Sequence, residues 1–289
     1  MRKSKTRNPY ARFALLKNPF NSEGSDVSLL HVHQDADDVI NELFFHTLYE
    51  NGRTLLIFAG PHGIGKTERL LLIQDMAAKE RAFSYYTRCS SDSLSTIRGL
   101  IEHLTRRWLF MPRALKELRK IRKKLGKKPI DMKKLAKKIA KALDEIAPCF
   151  LLFDEIDLIR DRDELLTILQ EVLERSEKGL MIAIAGDARV DKGIRVELEP
   201  LTSKEAELLI AKRILAARSV GDNLDPIFPF TKASVGRIYD DVGGNPGELL
   251  ERMKDLIDSG VRRRVMMIDE EFVERRYEER KRARSGGCK

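Results

Sequence analysis

Up to about residue 200, apolar strand-like runs alternate with amphipathic helical stretches; beyond it only helical periodicity recurs. Strand and helix in alternation make a parallel sheet covered on both faces. The predicted fold is therefore α/β: a parallel five-stranded sheet flanked by helices, followed by an all-helical domain. We divide the chain into 1–200, an N-terminal lead-in plus the α/β domain, and 201–289, the helical domain.

The pattern turns on one stretch. Thr54–Ala59 reads as a buried strand, and residues 68–78 read as a helix. Between them Gly60-Pro61-His62-Gly63-Ile64-Gly65-Lys66-Thr67 meets every fixed position of G-x-x-x-x-G-K-[ST]. Strand, glycine loop and helix together make a phosphate cradle. The glycines let successive N–H groups turn toward one anion, and the helix N-terminus adds its positive end. Lys66 is expected to face the β- and γ-phosphates of ATP, and Thr67 to hold Mg²⁺ through its hydroxyl. The cofactor-binding stretch is taken as Gly60 to Thr67 with Glu68 after it; His62 fills a variable slot and is read as spacer. The plain alternative is a glycine turn that happens to precede Lys-Thr.

In chain order, Arg2, Lys3, Lys5 and Arg7 open a basic tail, and Asn18-Pro19-Phe20 starts an ordered lead-in. Asp35 caps a helix that runs to Glu50 and stops at Asn51-Gly52. After the loop helix, 82–87 is a second strand, and Ser93 caps a helix to about Leu109. Two helices follow, about 113–125 and 131–147, split by Gly126 to Pro129; in the second, Met132, Leu135, Ile139 and Leu143 recur at helical spacing with lysines between. Cys149–Phe153 is a third buried strand and 180–185 a fourth, with a helix over 162–176 between them. Arg195–Leu198 is a short fifth strand. Helices are then expected to open at Ser203, Thr231, Asn245-Pro246 and Asp269.

The third strand ends in Asp154-Glu155-Ile156-Asp157. Ligands of open α/β sheets sit at the carboxyl ends of strands. Asp154 is expected to bind Mg²⁺ through its water shell, and Glu155 to polarise the attacking water as a general base. Taken alone, an apolar run ending in Asp-Glu is equally a solvated acidic turn. Asp187, just past the fourth strand, is a candidate to hold the γ-phosphate or the water, or else a turn residue beside Gly186. Arg189 and Arg195 are candidate arginine fingers toward a neighbouring subunit, or else ordinary surface arginines.

Charged residues make up 34% of the chain, well above the usual quarter. The charge is unevenly placed. Arg106 to Lys141 carries sixteen Lys/Arg against Glu117 and Asp131, a net +14 that leaves −5 over the rest. This segment, about 106–147, is a basic helical insertion in a mildly acidic body. Lys133, Lys134, Lys137 and Lys138 recur at i and i+4 on one side of its second helix and are candidate nucleic-acid contacts. The alternative is a solvated, lysine-rich helical face. Three scattered cysteines offer neither a disulfide framework nor a zinc site, and a reducing cytoplasm is expected. No apolar run is long enough to span a membrane, and no membrane partner is expected.

With these motifs assembled, the chain resembles the AAA+ P-loop ATPases of the archaeal origin-recognition and initiator branch. The resemblance rests on Asn18-Pro19-Phe20, the glycine loop, Asp154 to Asp157, Leu198 to Ala206, Pro229-Phe230-Thr231 and Gly243-Gly244-Asn245-Pro246. It implies the strand order 5-1-4-3-2, ATP and Mg²⁺ as cofactors, and a contribution of Pro246 to the nucleotide site. It also implies assembly as a homo-oligomer or with a partner ATPase. Family members commonly carry an arginine directly after the Gly-Gly-Asn-Pro turn, where this chain has Gly247. Origin-binding members add a winged-helix domain after the lid, which is not expected here. Two functions stand side by side: a DNA-associated ATPase switched by nucleotide, and a signalling or scaffold ATPase that switches a protein partner with slow or no turnover.

Overall fold

The computed structural model describes residues 8–21, 27–89, 92–106, 113–123, 131–187, 193–218 and 223–286. They form two compact units: residues 33–61 with 65–198, and residues 1–32 with 62–64 and 199–289.

The first unit is built on a five-stranded parallel sheet: β1 (Arg53–Ala59), β2 (Phe83–Arg88), β3 (Cys149–Asp154), β4 (Leu180–Ala185) and β5 (Ile194–Glu197). Its order is β2-β3-β4-β1-β5, as the resemblance implies. β3 and β4 are buried at every residue, which is why both are apolar runs, β3 up to its last residue, Asp154. The register sets Arg88 beside Asp154 and Phe58 beside Ala185, so the carboxyl ends of the inner strands lie level.

Six helices belong to this unit: α2 (Asp35–Tyr49), α3 (Lys66–Lys79), α4 (Ser93–Arg106), α5 (Arg113–Arg122), α6 (Met132–Asp144) and α7 (Arg162–Arg175). A short α1 (Val27–Leu30), not foreseen in the sequence, precedes them in the other unit. α2 and α3 pack together, and Phe44 of α2 stacks on Phe150 of β3 at 4.6 Å. The opposite face of the sheet presents Leu55, Ile57, Tyr85, Leu151, Phe153, Ile182 and Ile184 to α4 and α7. The same core takes in Leu115 and Leu118 of α5 and Leu135, Ile139 and Leu143 of α6, so these two helices of the basic insertion are an integral layer of this unit. The Asp131 side chain accepts the Lys134 N–H and caps α6.

The second unit is helical: α8 (Ser203–Ala216), α9 (Lys232–Val242), α10 (Pro246–Arg263) and α11 (Glu270–Gly286). Thr202 with Glu205, and Thr231 with Ser234, close reciprocal capping boxes on α8 and α9. Asn245 caps α10 and Pro246 opens it. The lead-in packs here too, whereas its place in the sequence groups it with the sheet. Phe13, Leu15, Phe20 and Val32 are buried in one core with Ile210, Leu256 and Phe272. Tyr10 Oη and Asn18 Nδ2 both donate to Asp258 Oδ1, at 3.0 and 2.8 Å. Contact with a helix more than two hundred residues away outweighs adjacency in the chain. Among the described residues, no helix is long and apolar enough to cross a membrane.

One charged pair lies in the interior of the sheet unit. Arg69 of α3 is 3% exposed and Asp37 of α2 is 1% exposed, with Arg69 Nε 3.3 Å from Asp37 Oδ1. Arg69 also donates to Gln34 Oε1, and Asp37 Oδ2 accepts the Gln34 N–H at 2.7 Å. Removing one member of such a pair strands the other's charge. Asp37→Ala is therefore expected to cost about 3–5 kcal/mol of stability, read as a fall in the urea midpoint. A midpoint equal to that of the parent would show that Arg69 does not depend on Asp37.

Candidate nucleotide site

The loop between β1 and α3 has the backbone that its glycines allow. Gly60, Gly63 and Gly65 take φ of 134°, 82° and 104°, a region that a Cβ makes costly. Gly65 is the N-cap of α3, so the helix starts at Lys66 with its free N–H groups toward the loop. Lys66 Nζ donates to Gly60 O at 2.6 Å and Pro61 O at 2.8 Å, which draws the ammonium back along the loop. A cation and a ring of backbone donors around glycines match the donor set that an oligophosphate needs.

Thr67 and Asp154, 87 residues apart, meet: Thr67 Oγ1 donates to Asp154 Oδ2 at 2.9 Å. With its proton committed there, the Thr67 oxygen keeps lone pairs for a hard cation. Asp154 is 2% exposed, and its Oδ1 accepts the N–H of Glu155 at 3.0 Å. A hydroxyl and a carboxylate at the end of adjoining elements fit a magnesium ion that keeps several waters. The Glu155 backbone is left-handed, with φ of 56°, and its carboxylate lies 3.5 Å from Arg88 Nε.

Two participants were not read from the sequence. Tyr86 of β2 donates its hydroxyl to Asp154 Oδ2 at 2.8 Å. Burial, then that bond to the carboxylate, pushes the phenol up to about 12, so it stays a donor. Arg88, two residues on, is the partner of Glu155. Both lie in β2, which runs one residue past the 82–87 expected from the sequence to include Arg88, and only the pairing of β2 with β3 shows what their side chains face.

The other candidates fall as follows. Asp187 is exposed; its N–H is held by Asp157 Oδ1 at 3.0 Å, and its carboxylate accepts from Arg195 at 3.1 Å. Arg195 also bonds Glu197 Oε1 at 2.6 Å, so the structure joins these two candidates to each other. Arg189 lies outside the described residues. Lys133, Lys134, Lys137 and Lys138 are all exposed on α6, opposite buried Leu135 and Ile139. Lys134 pairs with Asp131 at 3.3 Å and Lys138 with Glu117 at 3.7 Å.

The tip of the loop, residues 62–64, belongs with the helical unit. There Asn245 Nδ2 donates to His62 O at 2.8 Å, and the Gly247 N–H donates to Gly63 O at 2.9 Å. Pro246 is buried between these two bonds at the start of α10. A Cβ on Gly247 would lie 2.8 Å from Gly63 Cα and 3.0 Å from Gly63 O. That approach explains a glycine where the family resemblance leads one to expect an arginine.

Parallel sheet, glycine loop and strand-end carboxylates together define a P-loop ATPase type of domain. The AAA domain family matches residues 49–193, half of the chain, and the chain belongs to that family. Its fold is similar to that of the Aeropyrum pernix ORC1 protein solved in complex with DNA: TM-score 0.57 at 16% identity, covering 94% of this chain and 70% of that one. The Aeropyrum pernix ORC2 protein gives TM-score 0.57 at 15% identity, over 90% of this chain and 70% of that one. Domain III of the Thermotoga maritima replication initiation protein DnaA gives 0.52 at 15% identity, over 84% of this chain and 92% of that one. No curated protein matches in sequence.

Because Gly63 and Gly247 meet backbone to backbone, Gly247→Ala has no flexible neighbour to push aside. It is expected to cost about 1–3 kcal/mol, as overpacking does, measured as a lowered melting temperature. An unchanged melting temperature would show that the approach is not tight.

Proposed function

We propose that this protein binds ATP with Mg²⁺, hydrolyses it to ADP and phosphate, and serves as a nucleotide-switched, DNA-associated factor of the replication-initiator kind. The observation that carries the nucleotide part is the 2.9 Å bond from Thr67 to Asp154, which joins the glycine loop to the strand-end carboxylate. Lys66 and the N–H groups at the start of α3 bind the β- and γ-phosphates. Thr67 and Asp154 hold Mg²⁺, which when bound neutralises charge on those phosphates. Glu155 takes the proton of the water that attacks the γ-phosphorus as the bond to the β-phosphate oxygen breaks. In the geometry seen here Arg88 Nε lies 3.5 Å from one oxygen of that carboxylate, Oε2.

The DNA part rests on α5 and α6. Arg113, Lys116, Arg119 and Lys120 of α5 and the four lysines of α6 are exposed. A surface of this kind binds phosphates without reading bases. The Aeropyrum pernix ORC1 relative was solved with DNA, which favours a nucleic acid over an acidic protein as the partner. We place the protein in the cytoplasm, as a homo-oligomer or beside a partner ATPase.

Two experiments test the parts separately. Glu155→Gln is expected to bind ATP like the parent in titration calorimetry while turnover falls by orders of magnitude, since the amide cannot accept the proton. Hydrolysis at the parent rate would make Glu155 a bystander. Changing Lys133, Lys134, Lys137 and Lys138 together to Gln is expected to weaken duplex binding and leave ATP binding intact. Fluorescence anisotropy over several salt concentrations should show a log–log slope shallower by up to about 0.9 for each phosphate that the variant no longer neutralises, alike for unrelated sequences. Equal affinity and slope in parent and variant would direct α6 to a protein partner instead.

A further inference from the structure

Tyr86 and Thr67 donate to the same oxygen, Asp154 Oδ2, at 2.8 and 2.9 Å. The other oxygen, Oδ1, is turned back to the Glu155 N–H at 3.0 Å. The carboxylate is therefore held at both ends within a site where it is 2% exposed. Tyr85, one residue earlier, is buried with Phe153 in the core beneath α4 and α7, so alternation along β2 turns Tyr86 to the face that carries Asp154 and α3. There it leans along the strand, past its register partner Leu152, to reach Asp154.

We propose that Tyr86 is the positioning residue for the metal-binding carboxylate: its hydroxyl fixes the Asp154 rotamer in which Oδ2 takes the Thr67 proton and leaves the Thr67 oxygen free for Mg²⁺. The proposal rests on the reading of this site as one for magnesium and nucleotide. Its physical content is that of an outer partner which orients a ligand it does not replace. Without Tyr86, the Thr67 hydroxyl is the side-chain donor left to Asp154 Oδ2 among the described residues, and the carboxylate is held about χ2, a broad torsion, by one bond fewer. The phosphates, bound by the loop and by Lys66, do not depend on that torsion. The effect should therefore appear in the metal requirement and not in the intrinsic hold on nucleotide.

The test uses the full chain and a fluorescent ATP analogue, mant-ATP, followed by anisotropy in EDTA and then across a magnesium titration. Tyr86→Phe keeps the ring and removes the donor. It is expected to bind mant-ATP in EDTA as the parent does, while the magnesium concentration for half-maximal tightening rises about 10-fold. In an Asp154→Ala background the same substitution should shift nothing further, because Tyr86 acts through Asp154. A magnesium midpoint equal to the parent's overturns the proposal. Equal weakening with and without magnesium also overturns it, since that is a general structural effect. Tyr86→Leu, which also lacks a donor, repeats the measurement should the phenylalanine variant not fold; loss of folding in both assigns the hydroxyl to stability and overturns the positioning role. A parent that binds no mant-ATP at any magnesium concentration takes down the nucleotide reading itself, whereas a metal-dependent parent with an unshifted variant takes down only the role of Tyr86.

Discussion

A carboxylate buried to 2% exposure at the end of an inner strand has to be met by donors, because an ion left unpaired there costs several kcal/mol. Asp154 is met from three elements: by the Glu155 N–H that follows it, by Thr67 of α3 and by Tyr86 of β2. The strand order makes this demanding. β4 lies between β1 and β3, so a group that leaves β1 has to cross one strand to reach Asp154. The glycine loop provides the crossing. Its left-handed turns at Gly63 and Gly65 bring α3 back over the sheet with Thr67 in its first turn. Site and fold therefore share one constraint: the loop that would cradle phosphate is also the segment that brings a donor to the buried acid.

This shared constraint explains which parts of the site were legible in the sequence. Gly60 to Thr67 and Asp154-Glu155 were legible because their chemistry requires fixed residue types at fixed spacing beside apolar runs. The sheet was legible for a similar reason, since β3 and β4 are covered on both faces and so are apolar runs, β3 up to its terminal Asp154. Tyr86 and Arg88 were not. The strand reading over 82–87 stops one residue short of Arg88 and does not show which face carries the acid, which depends on the register of β2 with β3. Asp37 and Arg69 were hidden in another way, because a charge within a helix reads as solvent-facing until its partner on the next helix is known.

Glycines and the lead-in show where pattern and packing part. Gly247 stands out in the sequence as a departure, the absence of a side chain where one is customary. Its backbone approaches Gly63 too closely to admit a Cβ, so the departure is the signature of a contact. A lone glycine cannot announce which backbone it meets. The lead-in precedes the sheet in the chain, and adjacency alone groups the two. Its apolar residues, Phe13, Leu15 and Phe20, are too few to form a core of their own and complete that of the helical unit, where Asp258 holds both Tyr10 and Asn18.

The basic insertion poses a question of stability that its packing sharpens. The inner faces of α5 and α6 are part of the sheet unit's core, and that alone accounts for the presence of two helices. It does not account for what they show to solvent. Lys133 with Lys137, Lys134 with Lys138, and Lys137 with Lys141 are like charges at i, i+4, each costing about 0.2–0.5 kcal/mol by repulsion. The acids nearby, Asp131 and Glu117, lie in exposed pairs, which offset little of that repulsion. Glutamine or alternating charge would serve the helix as well or better. That surface is mildly unfavourable to its own fold, and it is carried in a body that is otherwise net acidic.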